Sequence, residues 1–140
     1  MSGALFVHFL ALGTWLGCVA VEAVLEIAGA GELPTVARLH RWIDAFVEIP
    51  AFTAVVVSGL WMFDLDRFGG VYLAKILCGL AAVLVNVLCV GPVFARVRAV
   101  AAGDVTAARR HSRWIYVAFV AGMLPGFTAL GLGLRMLGLV

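Results

Sequence analysis

The sequence predicts an all-α fold, an integral membrane four-helix up-down bundle, and three observations carry that prediction. Of 140 residues, 64% are hydrophobic and only 13% charged, whereas about a quarter of the residues in a water-soluble domain carry charge. Mean hydropathy is +1.12. The apolar residues gather into four stretches, each long enough to supply the roughly 20 helical residues that cross a hydrocarbon core.

The first span covers residues 4–28 and carries two carboxylates, Glu22 and Glu26. The small triplet Ala28-Gly29-Ala30 resembles a signal-peptide cleavage site, but the stretch is too long, holds two Glu and has no basic residues before it, so it reads as a retained helix. The second span, 37–63, opens with Arg38, Arg41 and the interfacial anchor Trp42 and contains Pro50. The third, 71–94, opens with Tyr72 and Lys75. The fourth, 114–134, opens with Trp114 and contains Pro125. Each internal proline removes a backbone donor, so bends or exposed carbonyls are expected at Phe46 and Ala121. Gly13 with Gly17, and Gly122 with Gly126, have the spacing of closely approaching membrane helices.

The connections, 29–36, 64–70 and 95–113, are too short for a further domain, so residues 1–140 read as one transmembrane domain. Arg38, Arg41, Arg96, Arg98, Arg109, Arg110 and Arg113 flank the first and third connections, which places that end in the cytoplasm and both termini outside. Only Arg135 runs against the trend. A multi-pass protein of a bacterial-type inner membrane, with the lipid bilayer as its partner, is the expectation. The net charge of +2 reflects these flanks and gives no reason to expect nucleic-acid binding. Cys18, Cys78 and Cys89 show no CxxC spacing and read as reduced, packed thiols, with Cys18 and Cys89 within reach of a metal.

An internal echo runs through the chain. His40-Arg41-Trp42-Ile43, Ala45-Phe46-Val47 and Pro50-Ala51-Phe52-Thr53-Ala54 reappear as His111-Ser112-Arg113-Trp114-Ile115, Ala118-Phe119-Val120 and Pro125-Gly126-Phe127-Thr128-Ala129, with drifting spacing. It reads either as a pseudo-two-fold repeat of two helical hairpins or as ordinary interfacial anchoring with biased composition.

The chemistry concentrates around the first connection. His40, Asp44 and Glu48 are four residues apart, so they share one helix face and descend about 12 Å. Glu22 and Glu26 form an i, i+4 pair on the first span. With the turn centred near Leu33, Glu26 lies level with His40, Glu22 with Asp44 and Cys18 with Glu48. His111, Asn86 and Cys89 enter from the other spans at a similar depth. A carboxylate costs roughly 2.5–3.5 kcal/mol at membrane depth, so several together point to a site at which metal or protons offset the cost. The expected metal ligands are Glu22, Glu26, His40, Asp44, Glu48 and His111, with iron, zinc, manganese or copper as the ion. The alternatives are proton-carrying carboxylates or carboxylates paired with arginines. At the other end His8, Trp15 and Glu22, seven apart, share a face, and His8 and Lys75 both lie near the outer end.

The set His8, Trp15-Leu16-Gly17, Arg41 before Pro50-Ala51, Gly59-Leu60-Trp61 and Lys75 opening the third span resembles the HemJ-type protoporphyrinogen oxidases and the CopD-like membrane proteins. The resemblance implies haem b held by His8, Lys75 as a cofactor-binding and catalytic residue, and oxidation of a porphyrinogen with electrons passed to a quinone. The chain departs from that pattern at Leu73-Ala74, where members carry a histidine, and in its acidic series, which shifts the expected chemistry toward the cytoplasmic half. The reading that follows is a membrane redox protein dependent on a metal or haem, as a homodimer. A proton- or metal-ion-coupled transporter subunit is the alternative.

Overall fold

The computed structural model describes residues 2–29 and 31–139; Ala30, in the small triplet weighed above, lies outside them. Among the described residues all regular structure is helical: α1 (Gly3–Ala28), α2 (Leu33–Ile43), α3 (Ile49–Trp61), α4 (Gly70–Ala101) and α5 (Val105–Met136). A π-helical turn, Asp44–Glu48, joins α2 to α3, and a 3-10 turn, Leu65–Arg67, precedes α4. The stretch Leu33–Trp61 is therefore one membrane-length run, and four such runs follow one another. The chain is a multi-pass membrane protein. Large apolar side chains such as Leu10, Ile27, Leu60 and Leu124 are exposed to the surroundings, as helices solvated by lipid require.

Local chemistry sets the ends. The Ser2 hydroxyl accepts the Leu5 N–H at the start of α1, and Pro34 occupies the first turn of α2, where a missing donor costs nothing. The sequence reading ends the third span at residue 94 and leaves 95–113 as a basic loop; the structure differs. Ala and Arg are strong helix formers, so α4 continues to Ala101 and α5 begins at Val105. The true connection is three residues long, with Gly103 at φ 73° and the Asp104 carboxylate accepting the Ala107 N–H. That correction places Arg96 on a helix.

The chain divides into two compact units, Met1–Phe63 with Val93–Ser112, and Asp64–Pro92 with Arg113–Val140. In the first, α1 runs antiparallel to α2 and α3, with His8 against Ser58, Trp15 against Glu48 and Glu26 against His40. In the second, α4 and α5 run antiparallel. A Cβ on Gly122 would stand 3.4 Å from Val85 and one on Gly126 3.8 Å from Ala82, the close approach their spacing predicts. Gly13 and Gly17 differ: a Cβ on either would meet no atom of another helix within 4 Å among the described residues.

Contacts also test the echo. His8 meets Ser58 in the first hairpin and Gly79 meets Ala129 in the second, an offset of 71 residues on both helices of the pair, whereas the echo in the sequence sets Ala129 against Ala54, an offset of 75. At that offset His40 answers to His111, but Glu22 answers to Val93 and Asp44 to Ile115, both apolar and buried. The contacts therefore depart from the echo at Ala129, and the positions 71 residues on from Glu22 and Asp44 carry no acid.

Gly29 closes the first hairpin. A Cβ there would overlap Val36 and fall 2.6 Å from the Leu25 carbonyl oxygen. Gly29→Ala is expected to destabilise the fold by about 1–3 kcal/mol, read as an earlier melt in detergent micelles.

Candidate metal centre

The site begins with a proline. Pro50 has no N–H for the Phe46 carbonyl and its ring crowds the preceding turn. The helix responds by widening: the Ile49 N–H donates to the Asp44 carbonyl, five residues back, in the π-turn. In a regular helix, residues four apart drift by about 40° around the axis. A π-turn uses more residues per revolution, so the drift from His40 through Asp44 is reversed before Glu48. All three side chains are buried against α1.

Three groups meet at the centre. His40 Nε2 stands 3.6 Å from Glu22 Oε2 and 3.5 Å from Asp44 Oδ1. Ligand atoms of Glu22, His40 and Asp44 all lie within 4.8 Å of one another. These residues expose only 7, 3 and 2% of their surface. On the far side of the ring, His40 Nδ1 lies 2.6 Å from Glu26 Oε1. Arg96, fully buried, reaches from α4 to donate from Nη1 to Glu26 Oε2 at 2.8 Å and to the Ser112 hydroxyl at 3.3 Å. Glu22 Oε1 and Asp44 Oδ1 are buried without a hydrogen-bond partner.

One turn deeper, Glu48 accepts the Trp15 indole N–H at 3.1 Å. The Trp15 ring meets Phe52 edge-on, with centroids 6.2 Å apart, and Ala11 and Ala51 complete a buried apolar layer. Beyond that layer His8 Nδ1 lies 3.1 Å from the Val55 carbonyl and 3.0 Å from Ser58 Oγ, whose hydroxyl donates to the Ala54 carbonyl. Trp15→Phe removes the donor to a buried carboxylate and is expected to cost about 1–3 kcal/mol, measured as a lower unfolding midpoint.

The six expected metal ligands thus separate. Glu22, His40 and Asp44 converge; Glu26 sits behind the imidazole; Glu48 is held by Trp15. His111 is half-buried and is not part of the converging group. Cys18, one turn below Glu22, is buried outside the group, and no disulfide joins Cys18, Cys78 or Cys89. Lys75 and Asn86 belong to the second unit, where the Lys75 stem packs beside Gly133 and the Asn86 amide nitrogen is buried without a partner. Arg96 is the residue that sequence reading places in a loop. Its signal was its position: it lies two residues past the apolar stretch, inside the seven residues by which α4 continues to Ala101.

Arg96 balances Glu26, and Glu22, Asp44 and Glu48 share no second arginine among the described buried groups. Fold and site together define a four-helix, multi-pass membrane protein with a buried Glu/His/Asp cluster. No family model, curated protein or solved structure matches the chain.

Proposed function

We propose that the chain is an integral-membrane metalloprotein that holds one divalent transition-metal ion on Glu22, His40 and Asp44, with an open coordination position for redox chemistry. The spacing of the three groups supports this reading. Distances of 3.5 and 3.6 Å are too long for hydrogen bonds. They match the edges of a tetrahedron whose ligands stand at about 2.1 Å from a metal, about 3.4 Å apart. The orphaned oxygens of Glu22 and Asp44 supply the unmet acceptors that such an ion satisfies. Removing charges from water without compensation costs several kcal/mol per ion, and a divalent cation offsets two carboxylates at once.

One imidazole and two carboxylates suit iron, zinc, manganese or copper more than magnesium, which demands octahedral oxygen ligation. The Trp15–Phe52 layer favours a resident ion over cargo, since it closes the deep end of the cluster with apolar rings. Membrane quinone is the class of electron partner that meets a site at this depth.

Elemental analysis and an optical spectrum of the purified protein test the proposal. Iron, manganese or copper in equal amount with the chain, lost in Glu22→Ala with Asp44→Ala, supports the redox centre; zinc retains the site without the redox role. A Soret band lost in His8→Ala would move the chemistry to haem at His8. Metal-coupled or proton-coupled flux in liposomes would establish the transporter.

A further inference from the structure

We infer that Arg96 is the positioning residue of this centre: through Glu26 it keeps the proton of His40 on Nδ1 and leaves Nε2 bare toward Glu22 and Asp44. The inference rests on the metal-ion reading of the same site. His40 Nδ1 has two neighbours, Glu26 Oε1 at 2.6 Å and Arg96 Nη2 at 3.0 Å. It cannot satisfy both. A protonated Nδ1 donates to the carboxylate, whereas a bare Nδ1 accepts from the guanidinium.

Arg96 decides between them by fixing the charge on Glu26. A guanidinium does not lose its proton in proteins, and Nη1 lies 2.8 and 2.7 Å from the two Glu26 oxygens. Glu26 is therefore a carboxylate, and a bare nitrogen 2.6 Å from it would set two lone pairs face to face. An N–H donating to that oxygen makes a short charge-assisted bond instead. A further proton on Nε2 would need an acceptor within bonding distance, and the nearest acid oxygens stand at 3.5 and 3.6 Å. With its proton on Nδ1, the ring presents its lone pair at Nε2, as metal-ligating histidines do when a carboxylate holds the other nitrogen. Ser112 braces the guanidinium from α5, within the same compact unit as His40 and Glu26.

The test is the nitrogen NMR spectrum of His40 in metal-free, full-length, histidine-labelled protein in micelles, assigned by its loss in His40→Gln. The wild type should show a protonated Nδ1 and a bare Nε2. Arg96→Gln should mix the two tautomers and lower Co2+ affinity about 10–100-fold, the usual cost of losing an outer partner. Arg96→Lys should restore the wild-type tautomer. Should Arg96→Gln not fold, Glu26→Gln reads the same tautomer from the carboxylate side. A wild-type ring with its proton on Nε2, or an unchanged tautomer in both variants, overturns the inference. Wild-type protein that shows the expected tautomer yet takes up no Co2+ defeats the metal reading instead.

Discussion

His40→Gln, Glu22→Gln and Asp44→Asn are each expected to abolish stoichiometric Co2+ binding, because each removes one of the three ligand atoms that converge among the described residues. The neighbouring acids should behave differently. Glu26→Gln touches the far nitrogen of the imidazole and should cost about 10–100-fold in affinity. Glu48→Gln, whose carboxylate accepts from Trp15, should leave binding within roughly tenfold of wild type, below the range of an outer-partner loss. This order, measured by equilibrium dialysis, separates a three-ligand centre from a diffuse acidic patch. In a diffuse patch each carboxylate would matter about equally, and His40 would matter no more than the rest.

Arg96→Leu should destabilise the fold by about 3–5 kcal/mol, the cost of removing one partner from a buried ion pair. The loss comes from what is left behind: Glu26 would face the His40 ring with no cation, inside a layer where Val93 and Ala108 are fully covered. The double variant Arg96→Leu with Glu26→Leu should recover most of that stability, since replacing both members of a buried pair by apolar groups is close to neutral. Chemical denaturation in mixed micelles reads both. Recovery of stability without recovery of metal affinity would separate the structural part of Arg96 from its part in setting the ring.

Much of this was legible in the residues. Composition and span length define the class because a chain with so few charges has no other solvent available to it. The depth of the site was legible too: a turn centred near Leu33 sets Glu26 level with His40 and Glu22 with Asp44, and the observed contacts keep that register to within one helical turn. Arg96 was not legible as a partner, since a run of basic residues after an apolar stretch reads as a loop under the positive-inside rule. Helix propensity overrode that rule, and α4 carried Arg96 onto a buried face. The π-turn was half legible: Pro50 announces a lost backbone bond, but only the packed structure shows the strain absorbed at Asp44–Glu48, where it aligns the acids. Pairing of Trp15 with Glu48 requires the two helices at known rotation, which periodicity on either helix alone does not give.

X-ray absorption at the edge of the bound metal, on protein loaded with Co2+ in micelles, tests the central claim most directly. The account predicts one imidazole nitrogen and two carboxylate oxygens among the nearest neighbours at about 2.0–2.2 Å in a tetrahedral field, with the nitrogen lost in His40→Gln. A six-oxygen shell with no imidazole scattering, identical in wild type and His40→Gln, would contradict it.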